Sequence, residues 1–266
     1  MKAKRMSANA AALLAGALMV TACGSQQGKK IKLATEQTEE TLVKYPIPTA
    51  YEVMNLINRS GAAYIIEITN PTDKAESYLK ESSKALNLGV YSADLAYVTT
   101  YNMKQETMDY LKTLKNLSDD LYVSANFNVE LARKVEQNIE NKDTLISIIS
   151  QAFDETYSFL ESNGKDNISI QVLTGMWVEG LYITTYITTT SSNPGDMLQI
   201  VANQKQPLET LKDIIEKNSD APEIAALLTL LSPIIDEYSS VEKTVDMVKV
   251  QQIHNVIENI RNQIID

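Results

Sequence analysis

The run Leu181-Tyr182-Ile183-Thr184-Thr185-Tyr186-Ile187-Thr188-Thr189-Thr190 can be read in two ways. Its β-branched and aromatic residues favour a strand by propensity alone. Its setting favours a helix, because the apolar run begins as far back as Ile168 and Ile170, too long for one strand, and no partner strand is evident elsewhere. Hairpin signals of the Asn-Gly type between alternating strands are scarce. Ile168 to about Thr189 therefore reads as one helix stopped by Asn193-Pro194-Gly195, and the body reads as all-α, a multi-helix bundle.

The pattern extends outward in both directions. Downstream, a helix follows Pro207 through Leu208, Leu211, Ile214 and Ile215, and another opens at Asp220-Ala221-Pro222 and bends or ends at Pro233. The last segment carries Val245, Val248, Ile253, Val256, Ile257, Ile260 and Ile264 on one face, the clearest amphipathic helix in the chain. Upstream lie Thr144 to Leu160, stopped by Asn163-Gly164, then Val129 to Ile139, then a helix from Met103 to about Tyr122. Val90 to Tyr101 forms a further helix, and Asn70-Pro71 caps one that runs through Tyr78, Leu79, Ala85 and Leu86, with Asn87 to Gly89 as a break or kink. Pro48-Thr49 opens the first helix, which carries Tyr51, Met54 and Ile57 and closes at Ser60-Gly61.

A short pattern recurs within this body. Asp94-Leu95-Ala96-Tyr97-Val98-Thr99-Thr100-Tyr101 aligns with Glu179-Gly180-Leu181-Tyr182-Ile183-Thr184-Thr185-Tyr186 at an offset of 85, and Ser77-Tyr78-Leu79 aligns with Ser158-Phe159-Leu160 at an offset of 81. The preserved order suggests two duplicated helical-hairpin units. On a helix, Asp94, Tyr97 and Tyr101 fall on one stripe at i, i+3 and i+7, and Glu179, Tyr182 and Tyr186 form its counterpart. Facing each other, the stripes would surround one internal site with two carboxylates and four phenols, near Trp177 and Asn102, suited to a ligand with an apolar face. The same six residues also fit hydrogen-bonding anchors in a packed core, and both readings stay open. Gly175 and Gly180 inside a predicted helix suit close approach of a neighbouring helix, with a ligand-facing gap as the alternative.

Composition removes several function classes. The 266 residues carry 24 Lys+Arg against 34 Asp+Glu, a formal charge of −10, with no basic face to attract nucleic acid. One Cys and one His provide neither an internal disulfide nor a zinc centre, and no Glu-x-x-His pair, phosphate loop, Gly-x-Ser-x-Gly elbow or EF-hand loop occurs, so no cofactor or metal is expected. His254 reads as a partly exposed helix residue.

The beginning of the chain reads as an address. Lys2, Lys4 and Arg5 precede an apolar stretch from Ala10 to Val20, giving a signal segment over residues 1–22 that is too short to span a membrane. Val20-Thr21-Ala22-Cys23 follows and resembles the lipobox of bacterial lipoproteins, with the only Cys of the chain in the required place. The resemblance implies a diacylglycerol thioether on Cys23, cleavage before it by signal peptidase II, and an anchor in the cell envelope. With Gly24 rather than Asp after the Cys, the sorting rule of enteric bacteria implies the outer membrane, and Gly24-Ser25-Gln26-Gln27-Gly28-Lys29-Lys30, in place of an acidic cluster, favours its periplasmic face. Residues 23–44, rich in Gln, Lys, Glu and Thr, suit a solvated tether to a single helical domain over 45–266. The phrases Leu88-Gly89-Val90-Tyr91-Ser92-Ala93-Asp94-Leu95-Ala96-Tyr97 and Gly175-Met176-Trp177-Val178-Glu179-Gly180-Leu181-Tyr182 resemble those of uncharacterised helical lipoproteins of the Bacteroidetes type, a likeness covering most of the body that implies no activity.

Two functions follow as expectations. The first is a lipid-anchored envelope protein whose helical body binds a ligand or protein partner. The second is a glycosidase-like hydrolase using Asp94 and Glu179 as acid and base.

Overall fold

Two helices that lack a solvent face form the centre. In the computed structural model, which describes Pro48, residues 50–123 and residues 128–266, these are Asp166–Thr190 and the helix that crosses it, Glu81–Thr100. Every residue from Asn87 to Thr100 is buried, as are 20 of the 25 residues of Asp166–Thr190. Helices buried on all sides sit at the core of a bundle, and the more amphipathic ones wrap them.

Ten α-helices and no strand occur among the described residues: α1 (Ala50–Arg59), α2 (Glu81–Thr100), α3 (Lys104–Asp120), α4 (Val129–Gln137), α5 (Lys142–Ser162), α6 (Asp166–Thr190), α7 (Met197–Asn203), α8 (Lys205–Lys217), α9 (Pro222–Ser239) and α10 (Met247–Ile265). The described residues belong to one compact unit, Leu42–Asp266. The all-α bundle expected from the sequence is the fold observed. The signal segment, the lipobox and the tether lie outside the described residues.

The ambiguous Thr-rich run is helical because its hydroxyls find acceptors within the helix. Thr184 Oγ1 donates to the Gly180 carbonyl at 2.6 Å, Thr185 Oγ1 to Leu181 at 2.9 Å and Thr188 Oγ1 to Thr184 at 2.7 Å. Their polar atoms are thereby satisfied in a buried helix, and their methyl groups pack as Val would.

α2 and α6 cross with their backbones in contact. A Cβ on Gly175 would lie 1.9 Å from the Leu86 carbonyl oxygen, and one on Gly89 would lie 2.1 Å from the Val172 carbonyl oxygen. Only glycine fits at either position. The expected break at Asn87 to Gly89 is therefore absent: α2 runs through it unbroken, and Gly89 serves the crossing. The two helices run parallel, since Gly89 faces Val172 and Met176 while Asp94, further along, sits beside Glu179. Gly180 differs from the expectation, for a Cβ there would meet nothing within 4 Å.

The other elements fasten to this pair. α3 returns antiparallel to α2, joined by the Lys84–Asp120 ion pair at one end and by Thr99 with Thr107, 3.3 Å apart, at the other. α5 turns into α6 through Asn163-Gly164, as read from the sequence. α10 lies antiparallel along α6, with Thr185 opposite His254 and Glu179 opposite Arg261. In α9, Pro233 neither ends nor splits the helix. Proline cannot donate to the Thr229 carbonyl, and Ser232 Oγ supplies that bond at 3.2 Å. The helix expected from Asn70-Pro71 to Leu86 is replaced by a 3-10 turn, Thr72–Ser77, and the first turn of α2. Asn70 does not cap it, because its groups are used elsewhere.

Candidate functional site

The acidic residues of the two stripes meet at the α2–α6 crossing. Asp94 and Glu179 are both fully buried, on opposite sides of the contact and within hydrogen-bonding reach of each other. The glycines set this meeting, because Gly89 and Gly175 bring the backbones together and the carboxyls project about one turn further along each helix.

The third member was not singled out in the sequence. Arg261 of α10 donates through Nε to Glu179 Oε2 at 2.6 Å, its far nitrogen reaches the Ile68 carbonyl at 3.4 Å, and its guanidinium lies 4.3 Å from the centroid of the Tyr182 ring. A guanidinium can satisfy a carboxylate, a carbonyl and an aromatic face at once, which suits a buried position. Asp94 instead receives a neutral donor, the Asn70 N–H, on Oδ2 at 3.1 Å. Burial, and then the Glu179 carboxylate beside it, push the Asp94 carboxyl well above the usual carboxylate range, against the opposing pull of Arg261 and the Asn70 N–H. Burial pulls the guanidinium down, but Glu179 and Asp94 outweigh it and keep Arg261 charged.

The four phenols do not join the carboxyls around one site. Tyr97 and Tyr101 turn to the segment before α2. The Tyr97 hydroxyl accepts from the Ile65 N–H at 2.7 Å, the Tyr101 hydroxyl donates to the Ala62 carbonyl at 3.0 Å, and Tyr64 stacks on Tyr97 with centroids 5.2 Å apart. Tyr182 and Tyr186 turn to α10, where His254 stacks on Tyr182 and meets Tyr186 edge-on, both at 5.7 Å. His254 is buried, contrary to the sequence expectation, and its Nδ1 lies 3.1 Å from Thr185 Oγ1. Burial lowers its pKa, with Glu258 opposing. Trp177 lines a small recess with Gly180 and Pro48, away from the carboxyls, and Asn102 sits in the α2–α3 turn at φ 60°.

A second set of tyrosines extends the polar core. Tyr110 donates to the Asn70 carbonyl at 2.9 Å, Tyr91 to the Pro71 carbonyl at 2.8 Å, and Tyr78 to the Ile265 carbonyl at 3.2 Å, while Asn87 Nδ2 donates to Ile264 at 2.9 Å. These bonds tie residues 62–78, which hold no α-helix, to α2, α3 and the end of α10. Burial raises the hydroxyl pKa values of Tyr91, Tyr97 and Tyr110, so these groups act as neutral donors.

The arrangement sets two carboxyls side by side but gives no route to them, since both are sealed and Arg261 is only 7% exposed. Among the described residues no group of three His, Cys, Asp or Glu side chains could hold a metal ion, and no helix is long and apolar enough to cross a membrane. Comparison with protein-family models, with curated proteins and with solved structures gave no match to this chain.

Proposed function

We propose that this chain is a lipid-anchored protein of the cell envelope whose helical body binds a ligand or a protein partner through its outer surface. The observation that carries the reading is Val20-Thr21-Ala22-Cys23, placed behind the basic residues Lys2, Lys4 and Arg5 and an apolar stretch. Cleavage before Cys23 would remove those three cations and take the formal charge from −10 to −13. A body of that charge is repelled by anionic lipid, so attachment would fall to the acyl chains on Cys23. From Gly24 we assign the outer membrane, and from the lack of an acidic cluster in residues 24–30 its periplasmic face.

The glycosidase-like alternative draws on one feature, two adjacent carboxyls of which Asp94 is raised above the usual carboxylate range. Against it stand their sealing beneath α10 and the commitment of Glu179 to Arg261, which leaves no face for a sugar or a water. The tyrosine pairs act on the same reading as anchors of neighbouring segments.

Metabolic labelling with an alkyne fatty acid tests the anchoring in a bacterium that carries the lipoprotein pathway. The wild-type chain should take up label and fractionate with membranes, and Cys23→Ala should do neither. Inhibition of signal peptidase II should accumulate a heavier, lipid-bearing precursor. An unlabelled wild-type chain, or equal labelling of Cys23→Ala, refutes the proposal.

A further inference from the structure

Two carboxyls and one guanidinium share a compartment sealed from solvent, with Asp94 and Glu179 fully buried. Arg261 Nε occupies Glu179 Oε2, and the Asn70 N–H occupies Asp94 Oδ2. Asp94 Oδ1 and Glu179 Oε1 are buried and have no other hydrogen-bond partner among the described residues. Were both carboxyls ionised, the compartment would hold an uncompensated negative charge and two oxygens repelling each other. One proton between them removes both costs. Independently of the anchoring, we infer that Asp94 is held as a neutral carboxylic acid at neutral pH, its Oδ1–H donating to Glu179 Oε1, so that a bound proton completes the joint between α2, α6 and α10.

The proton belongs on Asp94 because the partners are unequal. Glu179 has a guanidinium to balance its charge, whereas Asp94 has only a neutral amide. With the proton placed there, all four carboxyl oxygens are matched: Asp94 Oδ2 accepts as a carbonyl, Oδ1–H donates, Glu179 Oε1 accepts and Oε2 pairs with Arg261. The other titratable groups acting on this joint are phenols: Tyr182 from α6, Tyr110 from α3, Tyr91 from α2 itself and Tyr64 from the segment before it. Burial raises the hydroxyl pKa of each, so none brings a competing charge at neutral pH.

The consequence is a stability that depends on pH in a definite sense. A carboxyl whose proton affinity is raised by folding contributes stability that is fully present below the ordinary Asp pKa, about 3.9. As pH rises from there, the unfolded chain ionises Asp94 while the fold keeps it protonated. The contribution falls about tenfold in the folded-to-unfolded ratio per pH unit, until Asp94 ionises in the fold as well.

Asp94→Asn provides the test, since the amide oxygen still accepts from Asn70, the amide N–H still donates to Glu179, and nothing titrates. Urea unfolding of the full chain at pH 5, 6 and 7 should show the wild type losing stability relative to Asp94→Asn by about tenfold in equilibrium constant per pH unit. Parallel pH dependences overturn the inference. Glu179→Gln should lose stability at every pH, because it strips Arg261 of its counter-charge, and a Glu179→Gln chain as stable as the wild type throughout overturns the inference. The infrared spectrum of the wild type is an independent readout if Asp94→Asn does not fold. A carbonyl band of an un-ionised carboxylic acid should persist at pH 7 in the folded chain and vanish in urea, and its absence from the folded chain overturns the inference.

Discussion

Gly175→Ala should be among the most damaging single methyl additions to this protein, although Ala is the better helix former by about 1 kcal/mol. The added Cβ would sit 1.9 Å from the Leu86 carbonyl oxygen and 2.8 Å from its carbon, both backbone atoms of the facing helix, which no rotamer change can move away. Contacts shorter than 3.0 Å essentially do not occur for a Cβ, so α2 and α6 must separate by about 1 Å at their crossing. A gap of that size forfeits about a quarter to a half of each dispersion contact along the seam. Overpacking of this kind costs about 1–3 kcal/mol in ordinary cores. Here the same movement stretches the Asp94–Glu179 contact, and we expect a net loss near the upper end, about 3 kcal/mol. Gly180→Ala supplies the control on the same helix, because its Cβ meets nothing within 4 Å and should therefore gain up to about 1 kcal/mol from helix propensity. Urea unfolding followed by circular dichroism measures both. The reasoning is refuted if Gly175→Ala is as stable as wild type, or if the two substitutions cost the same.

Two further substitutions probe local features. His254 is kept neutral by burial, so its contribution is present above its ordinary pKa of 6.5 and is lost as pH falls through that value toward the lowered one in the fold. His254→Gln should flatten the acid limb of the melting temperature below about pH 6.5, and an unchanged limb would show that His254 does not titrate on unfolding. Tyr122 holds a φ of 56° after α3 while its ring is 84% exposed, so Tyr122→Gly should relieve backbone strain at little loss of packing. A gain of about 1 kcal/mol in urea unfolding is expected, and a loss would mean that the ring contributes a contact in solution.

The sequence exposed the helical class and the pairing of Asp94 with Glu179, because both rest on periodicity. Acidic and aromatic residues at i, i+3 and i+7 share a face wherever the helix lies, and the recurring spacing marked two helices placed alike. Where the phenols point was not legible. Once α2 and α6 are pressed together at glycine, the residues one and two turns beyond the carboxyls diverge, and each tyrosine pair meets a different neighbour. Arg261 escaped notice because it stands between Ile260 and Asn262 with no motif around it. A signal did exist: Arg261 lies seven residues after His254, so both fall on one flank of the face carrying Ile253, Ile257, Ile260 and Ile264, and both are buried. Asn70-Pro71 misled through local chemistry. Asparagine before proline reads as a helix cap, yet the Asn70 side-chain amide donates to the Tyr78 hydroxyl at 3.0 Å, its N–H to Asp94 and its carbonyl accepts from Tyr110. Such competition between local capping and distant partners is settled only by the fold.

The repeated spacing has a packing cause that needs no common ancestry of the two units. α2 and α6 meet along largely apolar surfaces, and apolar contact alone tolerates a slip of one turn. Gly89 and Gly175 oppose that slip sterically, since moving either would drive a side chain into the facing backbone. Asp94 and Glu179 oppose it through the hydrogen bond between them, because a slip would leave the Asp94 carboxyl facing apolar side chains while Glu179 stays with Arg261. A buried polar group left without a partner costs about 1–3 kcal/mol. Glycine followed about one turn later by an acidic residue, on each of two crossing helices, therefore fixes one register twice by independent physical means. The segment before α2 and the helix α10 then lock onto that register through Asn70 and Arg261. On this view the acidic–tyrosine motif specifies how the bundle assembles.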